Sequence, residues 1–246
     1  MPVPEHLYDA LAAGYDAAWP APAPELLEIL REAGIGGGRI LDVGVGTGIA
    51  SQALAEAGAT IAGIDPSSGM LAQAPRRLAQ AELVRGRAEA LPFPDRSFDA
   101  AICADAFHEV KQRAALAELL RVVKPGGVIA IWWQTLSADG DLPGHRAGAT
   151  SDAGLAPVPE PLGRGFRAFY GAPFAERALR VVPTLLRSTV GGWMAVERAR
   201  PELYAVYGPQ AATWLAALEG RLLSAYGSSE SALPVRLVSF VYLGRA

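Results

Sequence analysis

The sequence has little of what several classes of protein require. One of its 246 residues is cysteine, Cys103, which excludes an internal disulfide. The three histidines, His6, His108 and His145, are too scattered to indicate a metal site, and we expect none. A net charge of -3 gives no basic surplus, so we expect neither nucleic acid nor an anionic membrane as a partner. A small neutral or cationic partner is favoured instead.

Long apolar runs are also missing. No uninterrupted apolar stretch approaches the roughly 20 residues of a membrane-spanning helix. Residues 1–6 lack the basic and apolar regions of a secretory signal, so we expect a cytoplasmic protein. With 51% hydrophobic residues, the chain can bury one substantial core, or one core with an inserted cap.

The most informative stretch is 40–48, where an apolar run leads into three alternating glycines. It predicts a buried strand and a tight turn into a helix that begins near Ile49. A dinucleotide fingerprint needs a third glycine or alanine, but Ile49 and Ser51 stand at the two possible positions. A phosphate-binding loop needs a lysine that is not there. We therefore interpret the turn as the seat of another kind of small molecule.

A second apolar run, residues 60–65, ends in Asp65 and leads into a predicted helix. Two parallel strands joined by a helix, with glycines at one carboxyl end and an acid at the other, are typical of nucleoside-binding sheets. The Asp65 carboxylate can accept hydrogen bonds from both hydroxyls of a ribose. The alternative is that Asp65 caps the following helix or ends the strand in solvent.

Three stretches are decisive together. The first is Asp42-x-Gly44-x-Gly46-x-Gly48. The second is 86–99, Gly-Arg-Ala-Glu-Ala-Leu-Pro-Phe-Pro-Asp-Arg-Ser-Phe-Asp, and the third is 119–127, Leu-Leu-Arg-Val-Val-Lys-Pro-Gly-Gly. In this order they resemble motifs of the class I S-adenosylmethionine (SAM) dependent methyltransferases, in the methyltransferase type 11 and ubiquinone-biosynthesis-like group that acts on small molecules. The resemblance covers about residues 38–133, while the C-terminal third matches only in its general plan.

The resemblance implies a fold and a division of the chain. The expected fold is α/β and Rossmann-like: a mostly parallel seven-stranded sheet with helices on both faces, an antiparallel final strand and a small helical cap. One class I methyltransferase domain would span residues 1–246. It would have N-terminal helices in 1–37, a SAM-binding core in 38–134, and a lid or cap with the C-terminal strands in 135–246.

The resemblance also implies a cofactor site for SAM. Gly44 and Gly46 would hold the methionine part, Asp65 the ribose, and Ala88 with Glu89 the adenine. The full predicted set of binding residues is Tyr15, Asp42, Gly44, Gly46, Gly48, Asp65, Ala88, Glu89 and Ala104.

Three of these expectations have alternatives or exceptions. Tyr15 is predicted to cover the cofactor, but the helix over residues 5–19 can instead simply pack its aromatics on the main domain. Glu89 is either an adenine ligand or an exposed loop carboxylate. Many related proteins carry an acid where this chain has Arg87. In this chain the hydrogen bond to the exocyclic amine of adenine would therefore pass to Glu89.

His108 follows the fourth predicted strand, residues 98–104, at the edge where open parallel sheets hold ligands. With an ordinary pKa near 6.5, it can act as the general base for a hydroxyl acceptor. A histidine that only supports the turn or shapes the methionine pocket fits equally well. Relatives often have tryptophan where this chain has Glu109, so the acceptor side is left open.

The C-terminal third gives weaker signals. Residues 135–165 lack periodicity, which favours a lid or a mobile segment. After them we predict strands over 179–185 and 235–243, with helices over 190–200 and 210–225 between them. Either the acceptor pocket or the core would contain Trp193, Met194, Tyr204, Tyr207 and Trp214.

The sequence therefore favours a SAM-dependent methyltransferase that acts on a small-molecule acceptor, as a monomer or a homodimer. One alternative is a SAM-binding protein without transfer activity, acting as a regulator or a partner subunit. A second alternative, a nicotinamide-dependent oxidoreductase, is disfavoured by the missing third glycine or alanine.

Overall fold

The computed structural model describes residues 3–157 and 167–246. These parts of the chain contain seven strands that form one sheet. The strands are β1 (Arg39–Val43), β2 (Thr60–Asp65), β3 (Glu82–Arg85), β4 (Phe98–Ala104), β5 (Val123–Leu136), β6 (Glu176–Thr189) and β7 (Ala232–Arg245).

Ten α-helices lie in the same described parts of the chain. They are α1 (Glu5–Ala18), α2 (Pro24–Glu32), α3 (Ile49–Glu56), α4 (Ser68–Gln73), α5 (Gln112–Val122), α6 (Leu142–Asp152), α7 (Arg167–Gly171), α8 (Val190–Arg198), α9 (Pro201–Tyr207) and α10 (Ala211–Tyr226).

The strand order is β3-β2-β1-β4-β5-β7-β6. From β3 to β5 all neighbours pair in parallel, and β7 pairs antiparallel with both β5 and β6. The predicted mostly parallel sheet with an antiparallel final strand is confirmed. Because parallel strands end at one edge of the sheet, the glycine turn and Asp65 lie side by side there.

Both faces of the central strands of the sheet are buried, and alternate strand residues supply the two core layers. Leu41 and Ile131 pack with α5 and α7 on one face. Ile40 and Trp132 pack with α2 and α3 on the other face. Trp133 lies on the first face, stacked between Phe240 and Tyr242. Trp132 and Trp133 thus point to opposite faces of the sheet, as adjacent residues of a strand do.

A third cluster forms the predicted helical cap, built from α6, α8, α9 and α10. Four of the five aromatic and methionine residues considered for the acceptor pocket are buried within it, and Tyr204 packs partly buried against it. The Tyr204 hydroxyl donates to the Arg198 carbonyl at 3.0 Å. The core interpretation holds for this set: Trp193, Met194, Tyr204, Tyr207 and Trp214.

One prediction for the C-terminal third was wrong. Residues 135–165 are not irregular throughout, because β5 continues to Leu136 and α6 follows with a proline in its first turn. Residues 158–165 of that stretch lie outside the described residues. The helix expected over 190–200 is present as α8, which ends at Arg198, because Pro201 begins the next helix and holds the preceding Arg200 in an extended conformation.

Helix α1 is fastened across the carboxyl edge of the sheet. The Asp9 carboxylate accepts from the Gly69 amide and the Ser67 hydroxyl, each at 2.7 Å. At its other end Asp16 forms an ion pair with Arg77. These contacts place the aromatic residues of α1 above the glycine turn.

Candidate functional site

The glycine turn after β1 is sterically restricted at two positions. Gly44 has φ +74°, and a Cβ there would lie 2.5 Å from the Cβ of Ala106. Gly48 has φ +85°, and a Cβ would lie 2.8 Å from the Leu78 side chain. Side chains are therefore excluded at both positions by backbone conformation and by space. The turn passes tightly between the loop after β4 and the segment after α4.

Asp65 joins the glycine turn to the end of β2. Its carboxylate accepts from the Gly46 amide at 2.9 Å and from the Ser67 amide at 2.8 Å. The residue is 8% exposed. Burial raises the pKa of Asp65 to about 6, although the Ser67 and Gly46 amides oppose that shift. At neutral pH the group is therefore mostly an ionised acceptor.

Asp42 lies beneath the turn and is 0% exposed. One carboxylate oxygen accepts from the Ser51 hydroxyl at 2.5 Å. Within the described parts of the chain, its other oxygen has no hydrogen-bond partner. Burial raises the pKa of Asp42 to about 7, the Ser51 bond lowers it, and the Asp65 charge raises it further. Part of the group is therefore protonated near neutral pH.

The pKa of Asp42 predicts a pH dependence of stability. Because the folded pKa of about 7 exceeds the ordinary 3.8, the folded state binds more protons between these values, and stability falls as pH rises through this window. Between pH 6 and pH 8, the ionisation of Asp42 should lower the free energy of unfolding by about 1 kcal/mol. His108, whose pKa is also raised, contributes a loss of the same sign. Urea unfolding at both pH values should show a smaller loss in Asp42→Asn than in the wild type. Equal losses would contradict the raised pKa.

A narrow cleft of about 60 Å³ lies above the turn. Residues from α1, the glycine turn and the ends of β4, β5 and β7 surround it. Four of the predicted site residues meet there, namely Tyr15, Gly44, Gly46 and Ala104. Other lining residues that the sequence did not indicate are Trp19, Thr47, Asp105, Gln134 and Ser239.

Aromatic residues of α1 and the following loop close the cleft. The rings of Tyr15 and Trp19 stack with centroids 4.6 Å apart, and the Arg200 guanidinium lies 5.6 Å from the Trp19 ring centre. Burial, with the charges of Asp105 and Glu202, raises the pKa of Tyr15 well above its usual range. Tyr15 is therefore a hydrogen-bond donor at neutral pH.

Asp105, directly after β4, is the main acid that sequence reasoning missed. Its φ is +48°, an uncommon conformation that aspartate tolerates better than most residues. Its carboxylate accepts from the Gln134 amide at 2.7 Å. Burial raises the pKa of Asp105 to about 6, although the hydrogen bond from the Gln134 backbone amide and the charge of His108 lower it. An acid at the end of a strand was the signal that identified Asp65, and Asp105 has the same signal.

His108 lies in the loop after β4, outside the residues that line the cleft. Its Nε2 is 3.3 Å from a Glu109 oxygen, and the other Glu109 oxygen accepts from the Val3 amide at 2.7 Å. Burial lowers the pKa of His108, but the Glu109 hydrogen bond and the charges of Glu109, Glu202 and Asp105 outweigh it, so the pKa is raised. Glu109 therefore both orients the ring and stabilises its protonated form.

The two predicted adenine residues also lie outside the cleft lining. Ala88 is buried, and the half-buried Glu89 accepts a hydrogen bond from the Lys111 backbone amide at 2.8 Å. Their loop starts beside Asp65, because the Gly86 amide donates to the Asp65 carbonyl at 3.1 Å. Arg87 forms an ion pair with Glu5 of α1. The remaining predicted residues, Asp42, Gly48 and Asp65, support the turn from below and beside it.

Comparison with known proteins identifies the core of the chain. Residues 41–131 match the family model described as a methyltransferase domain. Residues 41–131 therefore form a methyltransferase domain of that family. The predicted resemblance and fold class are thereby confirmed.

Relatives of this methyltransferase domain agree with that assignment. Demethylmenaquinone methyltransferase of Renibacterium salmoninarum is 38% identical over 124 residues, which are 50% of each chain. The chain thus spans about half the length of the curated relatives it matches. A solved structure provisionally named a type II methyltransferase, from Anaeromyxobacter dehalogenans, has a TM-score of 0.64 and 25% identity, covering 100% of this chain and 97% of that one.

A further solved structure shares the fold. It is phosphoethanolamine N-methyltransferase 2 of Haemonchus contortus, in complex with phosphomonomethylethanolamine and S-adenosylhomocysteine. Its TM-score is 0.55 at 20% identity, covering 97% of this chain and 58% of that chain.

Among residues 3–157 and 167–246, no helix has the length and apolar character needed to span a bilayer. In the same ranges, no group of three or more histidine, cysteine or acidic residues is arranged to hold a metal ion.

Proposed function

We propose that the chain is a SAM-dependent methyltransferase that transfers a methyl group to a small-molecule acceptor. The single observation that carries the proposal is the hydrogen bond that ties the Asp65 carboxylate to the Gly46 amide of the glycine turn, inside a methyltransferase domain. This hydrogen bond holds the main chain of the glycine turn next to the ionised Asp65 carboxylate, at the edge where such sheets bind nucleosides.

The residues at this edge fit the cofactor chemically. The Thr47 hydroxyl is buried beside the cleft and, like one Asp42 oxygen, has no hydrogen-bond partner among the described residues. Unpaired buried polar atoms of this kind are matched to polar groups of a ligand. The carboxylates of Asp65 and Asp105 complement the positive charge of a sulfonium and an amino group.

We propose the predicted roles for these residues. Gly44 and Gly46 hold the methionine part, Asp65 accepts from the ribose, and Ala88 with Glu89 lies toward the adenine. When bound, SAM supplies an activated methyl group, whose carbon bonds to the acceptor lone pair while the carbon–sulfur bond breaks and its electron pair stays on sulfur. The chain contributes mainly by alignment, which can be worth on the order of 7 to 11 kcal/mol.

Binding also requires α1 to move. A cleft of about 60 Å³ is far below the roughly 300 to 1,000 Å³ of most small-molecule sites. Tyr15 and Trp19 occupy the space above the turn, so their displacement opens it. Closure of the same rings over the ligand excludes water from the reacting atoms.

We assign His108 as the general base that accepts the proton from a hydroxyl acceptor, and Glu109 holds its imidazole ring in place. Only the neutral imidazole can accept that proton, so we expect the transfer rate to rise about tenfold per pH unit below the raised pKa of His108 and to level off above it. Single-turnover rates between pH 5.5 and pH 9 measure this profile. A rate that does not change across that range would remove His108 from the role.

Two measurements test the proposed function. Isothermal titration with SAM, S-adenosylhomocysteine and NAD should give heat with the first two only. Heat with NAD and none with SAM would overturn the proposal. SAM labelled in its methyl group, incubated with the protein and a metabolite extract, should then yield a labelled small molecule by mass spectrometry. Binding of SAM without any labelled product would favour the alternative, a SAM-binding protein without transfer activity.

The relative named demethylmenaquinone methyltransferase matches this chain over only half of its length. For this chain the proposal therefore extends to a small organic acceptor and no further. The cytoplasmic location and the monomer or homodimer state stay predictions.

A further inference from the structure

Two polar residues interrupt apolar rows of the sheet at the same place. Alternate residues on one face of β7 are all buried, namely Leu233, Val235, Leu237, Ser239, Val241 and Leu243. The matching residues of β5 are Val128, Ala130, Trp132, Gln134 and Leu136. Ser239 and Gln134, the polar members, lie directly opposite each other in the antiparallel register. They separate the apolar core of the sheet from the cap cluster.

The side chains of Gln134 and Ser239 satisfy each other only in part. Ser239 is 0% exposed, and Gln134 is partly buried. The Gln134 Nε2 atom donates to the Ser239 Oγ atom at 3.3 Å, which is longer than the usual length of about 2.7 to 3.2 Å. Among residues 3–157 and 167–246, this is the only hydrogen bond of either side chain. The Ser239 hydroxyl hydrogen, one Gln134 amide hydrogen and the Gln134 Oε1 atom are therefore available to a ligand.

The pair lies at the end of the cleft that is farther from Asp65. Both residues line the cleft together with the glycine turn. The strand order places β4, β5 and β7 on one side of β1, and β2 with Asp65 on the other side. Because neighbouring strands are ~4.8 Å apart, β5 and β7 lie ~10 and ~14 Å beyond β1. The residues proposed for the ribose and the adenine are all on the β2 side, so this end of the cleft is left for a second substrate.

The lining of the cleft indicates the chemistry of that substrate. Among the described residues that line the cleft, Asp105 is the only charged one, so an anion would meet a like charge. The Ser239 hydroxyl and the Gln134 amide are uncharged and donate to an oxygen lone pair, which an ammonium group lacks. An uncharged hydroxyl or carbonyl oxygen therefore fits the pair. The body of the substrate would meet apolar lining residues, which include Trp19, Pro20, Pro22, Leu26 and Trp132.

We propose that Gln134 and Ser239 bind the methyl acceptor by donating hydrogen bonds to an uncharged hydroxyl or carbonyl oxygen on an otherwise apolar molecule. This inference rests on the proposed function, because it names the acceptor class for that same cleft. A purely structural role, in which the pair only joins the sheet core to the cap, predicts no effect on ligand binding.

The test compares three probes that share one ring: benzyl alcohol, toluene and benzoate. Each is titrated by NMR into the wild type, with and without saturating S-adenosylhomocysteine. We expect benzyl alcohol to bind more tightly than benzoate and to shift the side-chain amide resonances of Gln134. In Ser239→Val, benzyl alcohol should lose at least fivefold in affinity, while toluene, which has no oxygen, should bind no more weakly than before. Ser239→Ala removes only the hydroxyl and should show the same pattern.

Thr184→Val is the matched control. Thr184 carries another hydroxyl on the same face of the sheet, opposite Leu237 on the edge strand β6, and it does not line the cleft. This variant should leave all three affinities unchanged. Calorimetry with S-adenosylhomocysteine gives a second readout, because Ser239→Ala should keep the wild-type affinity if the pair lies beyond the cofactor.

The outcomes separate the two proposals. No binding of S-adenosylhomocysteine to the wild type contradicts the proposed function, while the probe titrations without it still test the pair. Benzyl alcohol affinities that both Ser239 variants leave unchanged would overturn the inference, and a lower melting temperature alone would assign the pair to stability. Equal losses for S-adenosylhomocysteine and benzyl alcohol would also overturn it, by placing the pair in the cofactor site. Tighter binding of benzoate than of benzyl alcohol would contradict the uncharged class.

Discussion

Calorimetric titration of the Asp65→Ala variant with SAM is expected to show a dissociation constant raised roughly thirtyfold or more, a loss of about 2 kcal/mol. The first reason is the loss of a charged acceptor for the ribose hydroxyls. The structure adds a second, because the same carboxylate holds the Gly46 amide of the glycine turn and the Ser67 amide at the start of α4. Both effects weaken binding.

Asp99→Ala is the control for this variant. Asp99 also accepts from a backbone amide, that of Arg39 at 2.8 Å, and from the Lys124 ammonium at 2.5 Å. It lies at the amino end of β4, on the edge of the sheet away from the cleft. Its loss should lower thermal stability without changing the affinity for SAM. If Asp65→Ala retains the wild-type dissociation constant, Asp65 does not belong to the site.

The sequence predicted β1, β2 and β4 well because their signals are local. Each of these three strands is a short apolar run bounded by glycine, proline or an acid, and parallel pairing buries both of its faces. The turn at Gly44 needs glycine for reasons that lie within a few residues and one neighbouring loop. Asp65 stands at a fixed position after the second run. Sequence spacing alone was therefore enough to place them side by side.

The other side of the cleft could not be predicted in this way. Gln134 of β5 and Ser239 of β7 meet because these strands pair antiparallel, with a side-chain contact of 3.3 Å across 105 positions in the chain. Nothing near either residue marks that pairing. Asp105 is an exception, since it ends β4 as Asp65 ends β2. The roles of Ala88, Glu89 and His108, and the extent of the domain over 1–246, stay predictions.

The cap was underestimated because its helices are weakly amphipathic and depend on one another. Helix α6 contains glycine, serine and threonine, and its buried Leu142 and Ala149 pack in the same cluster as Trp214 and Leu218 of α10. Propensity alone does not favour such a helix, so contacts distant in sequence decide its structure. The stability of this cap then depends on a polar feature at its centre.

That feature is Glu197, a carboxylate on α8 with 0% exposure. The Trp193 indole donates to one of its oxygens at 3.0 Å. The Nε atoms of Arg146 and Arg200 lie 3.4 Å from its two oxygens, one each. One buried acid therefore partly neutralises two largely buried arginines, from α6 and from the residue before α9.

Replacing Glu197 by alanine is expected to lower the free energy of unfolding by about 3 to 5 kcal/mol, because two arginines lose their buried counter-charge. Urea unfolding followed by circular dichroism measures the loss. Glu219→Ala removes an exposed acid from an ion pair and should cost less than about 1 kcal/mol. A loss for Glu197→Ala as small as that of the control would show that water replaces the carboxylate. Since Arg200 also lies against Trp19, the same variant should loosen the aromatic closure of the cleft.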